Sequence, residues 1–317
     1  MIENNGFYSI GAVERDTGIG RDTLRVWERR YGFPRPVRNE KGERCYPEDQ
    51  LRRLQRTRRL LDYGVRPGKL LPLSEDALDE IEASLLTEGS EKIDKTVDAV
   101  LGAIRSADAG QVEVLLRGQY EKRGMREFVL ETVVPLLQAV GELWISGKLQ
   151  IFQEHFLSEQ LIRFLNAEIA ILQKSAGKPL VLLATLPGEE HTLGLLMLAA
   201  MLSSSGVSVI NLGGEVPMDQ IGKAVKQFDA DAVGITFSGA YSYQSIRPHL
   251  NELRELIADD VALWTGGEGV RRLRKLPTGV TKFNSLEKLP LFNEIADATP
   301  KIKKKLQNET GCQQIDG

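Results

Sequence analysis

A short polar run between a predicted strand and a predicted helix carries the side chains best suited to chemistry. The run Glu189-Glu190-His191-Thr192-Leu193-Gly194 follows the apolar stretch 179–185 and precedes the helical pattern over 195–205. An imidazole at such a turn can ligate a metal, and a carboxylate two residues earlier can orient the ring and raise its basicity. Gly194 removes a side chain where something bulky must pass. These residues predict a ligand site at the end of the strand.

Two further polar strand ends belong to the same region. Residues 232–237 predict a strand ending in Thr236-Phe237-Ser238, and residues 261–264 predict one ending in Thr265-Gly266-Gly267. Ligands of open parallel α/β sheets bind outside the carboxyl ends of the strands. The region lacks a Gly-x-Gly-x-x-Gly run, so a dinucleotide is the weaker hypothesis. A single His at a strand end is, taken alone, more often a hydrogen-bonded surface residue than a ligand.

The acid-x-His-x-x-Gly pattern resembles the signature of cobalamin-binding Rossmann-like domains. This resemblance implies that His191 replaces the cofactor's own dimethylbenzimidazole as the lower cobalt ligand, with Glu189 and Gly194 beside it. It also implies a buried nucleotide tail, lying between a polar pair after the third strand and a Gly-Gly pair after the fourth. Glu189 stands where Asp is commoner, and Thr236-x-Ser238 stands where Ser-x-Leu is common. The implied tail contacts are Thr236, Ser238, Gly266 and Gly267.

The first 70 residues carry a positive charge that the rest of the chain lacks. They hold 16 Lys and Arg against 10 Asp and Glu, a net of +6, whereas the whole chain has a net charge of −3. A basic head on an acidic body indicates a polyanion as the partner of the head. The alternative is that the Arg-rich helices only face solvent and bind no polyanion. The predicted fold of the head has to distinguish these two cases.

The head has the pattern of a helix-turn-helix. Ser9 is a suitable cap for a helix over 10–16, residues 17–20 contain two glycines suited to a turn, and a second helix is predicted over 21–30. Two helices joined by such a turn can place the second helix in the major groove of DNA. The head therefore predicts a DNA-binding fold.

The second helix and a following hairpin supply the predicted DNA contacts. Leu24 and Trp27 face the core, which leaves the opposite, Arg-rich face for the major groove. Residues 38–46 predict a hairpin that turns at residues 40–42 and acts as a wing, and Pro47 then opens another helix. The predicted DNA-binding residues are Arg21, Thr23, Arg25, Arg29, Arg38, Arg44 and Tyr46.

The runs Tyr8-Ser9-Ile10-Gly11, Thr23 to Gly32 and Arg44-Cys45-Tyr46 resemble the amino-terminal winged helix of MerR-type transcriptional regulators. This resemblance implies that the partner is a double-stranded DNA operator. A winged helix used only for protein contacts is the alternative, which the Arg-rich exposed face disfavours. Pro67-Gly68 interrupts the long dimer-forming helix usual after such a head. We therefore expect a homo-oligomer assembled through the sensor domains.

A helical bundle is predicted between the head and the Rossmann-like region. Leu, Val and Ile recur there at spacings of three and four, in helices over 93–105, 111–122, 126–144 and 151–174. The predicted fold is therefore multi-domain. It comprises a winged helix-turn-helix over 1–72, a linker with a short acidic helix over 73–90, a four-helix bundle cap over 91–175, a flavodoxin-like α/β Rossmann-like domain over 176–300, and a solvated tail over 301–317.

Trp144 and the pair Glu154-His155 stand out within the bundle. Their spacing resembles the cap motif of the CarH and LitR group of cobalamin-dependent MerR-type photoreceptors. The resemblance implies that Trp144 packs over the adenosyl group of adenosylcobalamin, while Glu154 and His155 hold or screen it. It further implies a repressor whose dark oligomer binds the operator and comes apart when light cleaves the cobalt–carbon bond. A bundle Trp beside a solvent-facing Glu-His pair is the alternative.

Three other functions stay open at this point. Light-responsive members of the group carry a His directly after the cap Trp, whereas this chain has Ile145, which leaves a light-independent cobalamin sensor as an alternative. A corrinoid enzyme subunit is disfavoured by the DNA-binding head and by the lack of chain for a substrate barrel. A regulator with an empty cobalamin-like domain is disfavoured by the retained Glu189, His191 and Gly194. We expect a regulator, not an enzyme.

Cysteine use and hydropathy indicate the compartment. The two cysteines, Cys45 and Cys312, have no metal-binding spacing, which is typical of a reducing environment. No apolar stretch has the length needed to span a bilayer, and residues 1–5 lack the basic start and apolar run of a signal peptide. We expect a cytoplasmic protein without a membrane partner.

Overall fold

The computed structural model describes residues 6–62, 64–86, 95–175, 177–271 and 273–288. The chain divides into two compact units, one formed by residues 1–92 with 138–151, and the other by residues 93–137 with 152–317. The predicted tail over 301–317 lies outside the described residues, as do the end of the predicted linker and the last part of the predicted Rossmann-like segment. The predicted domain boundaries stay predictions.

The first unit begins with a winged helix. Two helices are followed by a hairpin and a third helix, and a short first strand completes a three-stranded antiparallel sheet of order β1-β3-β2. Arg38 pairs with Arg44 across the hairpin, and Tyr8 pairs with Tyr46. The elements are β1 (Phe7–Ser9), α1 (Ile10–Thr17), α2 (Arg21–Tyr31), β2 (Val37–Arg38), β3 (Arg44–Pro47) and α3 (Glu48–Asp62).

Local chemistry explains these boundaries. The Ser9 side chain accepts a hydrogen bond from the backbone N–H of Ala12 at 3.3 Å, which caps α1, and Gly18 ends that helix in the left-handed conformation. Leu24 and Trp27 of α2 are buried in the core of the head. The predicted helix-turn-helix and hairpin are confirmed, whereas strand β1 was not predicted because three residues give too little alternation to recognise.

The segment after α3 is folded rather than a free linker. It contains α4 (Pro67–Leu70) and α5 (Glu75–Leu86), and Leu78 of α5 is fully buried in a cluster with Leu60 and Leu70. Arg56 of α3 forms ion pairs with Glu75, Asp79 and Glu82, all on α5. The predicted short acidic helix is confirmed, and these contacts attach it to α3.

The bundle helices form as predicted, with small shifts at their ends. The third predicted helix is interrupted by a π-helical segment (Val129–Val133), which a periodicity of 3.6 residues does not reveal. The aromatic rings of Tyr120, Phe128 and Phe164 pack within 6.0 Å of one another. The helices are α6 (Lys95–Arg105), α7 (Ala109–Arg123), α8 (Met125–Phe128), α9 (Val134–Ile145) and α10 (Ile151–Leu172).

A five-stranded parallel sheet follows, in the order β5-β4-β6-β7-β8. This order is that of flavodoxin-like sheets, whose ligands bind where the strand order reverses, beside the first strand. The predicted flavodoxin-like domain is thus confirmed. Its strands are β4 (Gly177–Ala184), β5 (Val207–Gly213), β6 (Ala232–Thr236), β7 (Ala262–Gly266) and β8 (Val280–Lys282), and its helices are α11 (Leu193–Ser204), α12 (Met218–Gln227), α13 (Tyr243–Leu256) and α14 (Glu268–Arg271).

The core of this domain positions the site at one edge of the sheet. Leu182 and Ala184 of β4 and Val233 and Ile235 of β6 are buried, because both faces of a parallel sheet are covered by helices. The loops after β4, β6 and β7 all leave from the carboxyl edge of the sheet. The polar residues predicted from sequence are therefore brought to the same edge.

Candidate functional site

The face of α2 that was predicted to bind DNA is exposed and basic. Arg21, Thr23, Arg25 and Arg29 are all exposed, and all belong to α2. Two of them form ion pairs, Arg21 with Glu14 at 2.6 Å and Arg25 with Asp22 at 2.8 Å. Exposed pairs of this kind contribute little to stability, so these guanidinium groups can exchange a carboxylate for a phosphate at small cost.

The wing is organised by its own side chains. Arg38 is exposed and donates to the backbone oxygen of Gly42 at 2.6 Å, which closes the turn. Arg44 donates to Glu28 of α2 at 2.8 Å and is partly buried, so it also ties the wing to the recognition helix. Both residues lie on the wing as predicted, and their contact with DNA stays a prediction.

The predicted phosphate contact of Tyr46 requires a correction. The Tyr46 side chain is fully buried in the core with Leu24 and Leu54, and its hydroxyl has no hydrogen-bond partner among the described residues. Burial raises the pKa of this hydroxyl, and the charge of Glu28 raises it further. Neighbouring side chains of β3 point to opposite faces, and both Cys45 and Tyr46 are buried, so both faces of this strand are covered and neither is open to DNA. Tyr46 stabilises the head rather than contacting DNA.

The loop after β4 carries an ordered imidazole. The Nδ1 atom of His191 lies 2.7 Å from Oε1 of Glu189, and the same oxygen accepts the backbone N–H of His191 at 3.0 Å. The other carboxylate oxygen accepts the backbone N–H of Ser238, after β6, at 2.7 Å. Glu189 is 1% exposed, whereas the His191 side chain is 54% exposed. A metal would therefore be ligated through Nε2, with Glu189 fixing the ring from behind.

The charge of Glu189 is maintained by these hydrogen bonds. Burial by itself raises the pKa of the Glu189 carboxyl, but hydrogen bonds from the ring and backbone of His191 and from Ser238 outweigh burial. The pKa of Glu189 consequently lies below its ordinary value. An ionised carboxylate favours a hydrogen on the facing Nδ1 and makes the imidazole a better ligand.

Thr185, at the end of β4, anchors the same loop and was not predicted from sequence. Its fully buried hydroxyl donates to the backbone oxygen of Glu189 at 2.5 Å and accepts the backbone N–H of Glu215 at 2.9 Å. Gly188 donates to the Glu215 side chain at 3.2 Å, and the backbone N–H of Val216 donates to the Thr185 backbone oxygen at 2.9 Å, so the loops after β4 and β5 are joined at several points. A Thr directly after a buried strand is the only sequence signal for this role.

Three hydroxyl groups at the ends of β6 and β7 are buried without a partner among the described residues. They are the side-chain oxygens of Thr236, Ser238 and Thr265. Buried polar atoms are normally hydrogen-bonded, since leaving one unpaired costs about 1–3 kcal/mol. Thr236 and Ser238 were predicted as ligand contacts, whereas Thr265 was not. Thr265 is in register with Ile235 and therefore points to the face opposite Thr236, which leaves the hydroxyls of Thr236 and Ser238 at the end of β6 as those suited to one polar ligand.

The glycines near this edge of the sheet differ in what a side chain at each position would meet. A Cβ on Gly267 would lie 2.3 Å from the backbone oxygen of Phe237, and its φ of +93° independently favours glycine. Gly269, which was not predicted, meets the backbone oxygen of Ser238 at 2.5 Å in the same way. A Cβ on Gly194 would meet no described residue outside its own helix within 4 Å, and one on Gly266 would make only an ordinary contact at 3.5 Å. Gly194 thus leaves open space at the start of α11, three residues after His191.

The three predicted cap residues lie in different settings. Trp144 is partly buried in the first unit, where the Arg59 guanidinium lies 5.9 Å from the centre of its ring. Glu154 accepts from the Ser158 hydroxyl at 2.9 Å and lies 3.2 Å from Nδ1 of His155, whose side chain is 71% exposed. The pair Glu154 and His155 is therefore formed within one helix, α10, and faces solvent.

Metal ligation at His191 needs ligands that the described residues do not supply. Within the described ranges, no group of three or more His, Cys, Asp and Glu side chains could hold a metal ion. A cobalt ion that brings its own equatorial ligands, as a corrin does, needs only one further ligand from below. The donor set fits a corrinoid better than it fits a free metal ion.

Comparisons with protein families give the class of the chain. Residues 8–70 match the MerR HTH family of regulatory proteins. Two B12-binding domain families match residues 96–167 and residues 179–277. The winged helix, the bundle and the flavodoxin-like sheet are thus each covered by a family. The chain is a MerR-type DNA-binding regulator with B12-binding domains.

Curated relatives narrow this class. The HTH-type transcriptional repressor CarH of Myxococcus xanthus is 31% identical over 273 residues, covering 83% of this chain and 90% of CarH. The HTH-type transcriptional repressor CarA of the same organism is 27% identical, covering 91% of this chain and 97% of CarA. This chain belongs to the family of MerR-type, B12-binding regulators that includes CarH. It is a regulator and not an enzyme, as predicted.

A solved structure is also similar. The monomethylamine corrinoid protein of Methanosarcina barkeri aligns with a TM-score of 0.48 and 16% identity, covering 62% of this chain and 93% of that protein.

The helices were also compared with the requirements of a membrane span. In the part of the chain that the structure describes, none combines the necessary length with the necessary apolar character.

Proposed function

We propose that this chain is a transcriptional repressor controlled by adenosylcobalamin, with His191 as the lower cobalt ligand. The observation that carries the proposal is the bonded set of Glu189, His191 and Ser238. It holds one exposed imidazole at the carboxyl edge of a flavodoxin-like sheet. The repressor names of CarH and CarA support the direction of regulation.

The residues present fit the cofactor. Thr236 and Ser238 would receive the polar groups of the nucleotide tail, since their hydroxyls are buried and have no partner among the described residues. The open space around the Cβ position of Gly194 would leave room for the corrin edge. Adenosylcobalamin supplies a cobalt–carbon bond that light can cleave.

Glu189 would orient the imidazole of His191 for ligation. Its carboxylate holds the Nδ1 hydrogen of His191 and fixes the ring plane, so that Nε2 is directed away from the sheet edge. Because the pKa of Glu189 lies below its ordinary value, this orientation persists at neutral and mildly acidic pH. Ligation then does not depend on a flexible imidazole finding the metal.

The roles of Trp144, Glu154 and His155 toward the adenosyl group rest on the sequence resemblance. Photoreception is part of the same proposal, because the CarH and LitR group supplies both the cap motif and the light response. Ile145, where light-responsive members have His, favours a second candidate function, a light-independent cobalamin sensor. The two functions share the site at His191, and they differ in whether light or only the presence of the cofactor changes the state of the protein.

The head would bind operator DNA through α2 and the wing. The exposed Arg25 and Arg29 of α2 would enter the major groove, and Arg38 of the wing would meet phosphate. Since α3 ends at Asp62 and Pro67 begins a separate short helix, no continuous dimer-forming helix extends from this described part of the head. Assembly through the sensor domains would therefore set the number of heads on an operator.

One experiment tests the proposal. Wild-type protein and His191→Ala are mixed with adenosylcobalamin, and absorption, molecular size and operator binding are measured in darkness and after green light. We expect wild type to bind the cofactor through a lower nitrogen ligand, to assemble and to retain the operator in darkness. The variant should lose tight binding and shift toward monomer. Hydroxocobalamin, which lacks the adenosyl group, is the matched ligand control.

The outcomes separate the two candidate functions. A wild-type complex that changes size and releases the operator on illumination supports a photoreceptor, in spite of Ile145. A cofactor-dependent size change that light does not reverse supports the light-independent sensor. An unchanged oligomer and normal operator binding by His191→Ala would contradict control by the cofactor.

A further inference from the structure

Tyr241, in the loop after β6, connects the His191 loop to helix α13. Its hydroxyl lies 2.7 Å from Nδ1 of His249 on α13 and 3.3 Å from the backbone oxygen of Pro187, four residues before His191. The Tyr241 side chain is 8% exposed and packs on Phe237, with ring centres 4.8 Å apart. Its ring also lies against Gly188, where a Cβ would come within 3.8 Å.

A single hydroxyl hydrogen decides which of these contacts can exist together. If Nδ1 of His249 carries a hydrogen, it donates to the Tyr241 oxygen, and the tyrosine hydrogen is then available for Pro187. If Nδ1 carries none, the tyrosine hydrogen goes to His249, and the Pro187 oxygen loses this donor. Only the first arrangement gives a hydrogen bond to His249 Nδ1, to the Tyr241 hydroxyl and to the Pro187 oxygen at the same time. It requires a hydrogen on Nδ1, which both the neutral Nδ1–H tautomer and the protonated ring carry.

The His191 loop is held to the β6 loop at two points. Toward its carboxyl end, Glu189 accepts the backbone N–H of Ser238, and nearer its start, Pro187 accepts from Tyr241. Ser238 and Tyr241 themselves belong to one turn, since the backbone N–H of Tyr241 donates to the Ser238 oxygen at 3.3 Å. The same loop is also held to the loop after β5, through Thr185 and Gly188, so the Tyr241 contact is the one that fixes Pro187 toward the β6 loop.

We propose that Tyr241 and His249 are positioning residues that hold the start of the loop so that His191 is aimed at cobalt. This inference rests on the proposed function, because it assumes His191 as the lower ligand. Neither side chain touches the metal. Their effect is on the fraction of bound cofactor that carries a histidine nitrogen below cobalt.

The test uses full-length protein with adenosylcobalamin and measures the lower-ligand absorption spectrum together with binding affinity. We expect Tyr241→Phe to lower the equilibrium constant for histidine ligation by about 2- to 12-fold, the range that one neutral hydrogen bond supports. His249→Leu should lower it similarly. The double variant should be no worse than either single variant, because both changes break one chain of hydrogen bonds.

Conservative variants distinguish positioning from general packing. His249→Gln keeps an N–H donor near the Tyr241 oxygen, so we expect it to restore much of the ligated fraction that His249→Leu loses. Tyr46→Phe is the matched control, since it removes another buried hydroxyl, one without a partner in the described structure and in the other unit. Thermal unfolding without cofactor checks that each variant folds. If Tyr241→Phe fails to fold, the comparison of His249→Leu with His249→Gln decides.

Each outcome bears on one claim. A wild-type ligated fraction in Tyr241→Phe, or equal losses in His249→Leu and His249→Gln, would overturn the positioning role. A spectrum of His191→Ala identical to that of wild type would instead overturn the proposed lower ligand, whatever Tyr241 does. The two failures are therefore distinguishable in one set of spectra.

Discussion

The DNA-binding head and the sheet edge place their functional groups in opposite ways. On α2, Arg21, Arg25 and Arg29 are exposed charges, and the first two are paired with carboxylates on the surface. At the sheet edge, Glu189 is buried and charged, and its position is set by backbone N–H groups of two loops. When exposed charges bind DNA, the binding free energy is shared among many groups and decreases with salt concentration. At a buried, hydrogen-bonded site, the loss of one donor or acceptor atom has a large effect. Single substitutions should consequently act more strongly at the sheet edge.

The largest effect is expected at Gly194. Because a Cβ there meets no described residue outside its own helix within 4 Å, Gly194→Leu should fold normally while its side chain fills space that the cofactor would need. We expect cobalamin affinity to fall by about 1–3 kcal/mol or more, roughly 5- to 150-fold, as measured by titration. Gly118→Leu is the matched control, since Gly118 is also helical with open space around it. Equal affinity of both variants would mean that the cofactor does not pass Gly194.

A smaller effect is expected at Arg25. Its ion pair with Asp22 is exposed, so Arg25→Ala should leave the stability of the head nearly unchanged. Operator affinity should fall more than affinity for unrelated DNA, because a guanidinium in the major groove contacts base edges. Lys223→Ala, which removes an exposed charge from α12, controls for net charge. A normal operator shift for Arg25→Ala would show that the recognition face lies elsewhere.

The smallest effect is expected at Tyr46. Since its buried hydroxyl has no partner in the described structure, Tyr46→Phe should change the free energy of unfolding by less than about 1 kcal/mol, in either direction. Operator affinity should stay at the wild-type level across salt concentrations. Weaker binding by this variant at unchanged stability would restore the phosphate contact predicted from sequence and contradict the burial of Tyr46.

Much of the architecture could be predicted from sequence because its signals are local. The Ser9 cap, the glycine turn before α2 and the buried Leu24 and Trp27 follow from patterns within a few residues. The strands β4, β6 and β7 were recognisable as apolar runs that end in polar residues. Glu189 and His191 were predicted together because they are two residues apart in the sequence.

The parts that were missed depend on contacts between distant segments. Thr185 anchors the His191 loop through Glu215, thirty residues away, and Tyr241 reaches Pro187 across the sheet edge. Gly269 is required because its backbone passes Ser238, which no local pattern reveals. Tyr46 was assigned to DNA from its place on the wing. Whether such a side chain is exposed depends on which elements cover that face of the sheet, and the sequence of a short strand does not reveal this.

The identity of the nitrogen that ligates cobalt from below decides whether His191 is the lower ligand. Protein grown with ¹⁵N-labelled histidine is loaded with the cobalt(II) form of cobalamin, and its electron paramagnetic resonance spectrum is compared with that of unlabelled protein. We predict that labelling changes the nitrogen splitting of wild type from a triplet to a doublet, whereas it leaves the spectrum of His191→Ala unchanged, because no histidine nitrogen then ligates cobalt. A triplet that labelling does not change would show that the cofactor keeps its own benzimidazole, and would contradict the account.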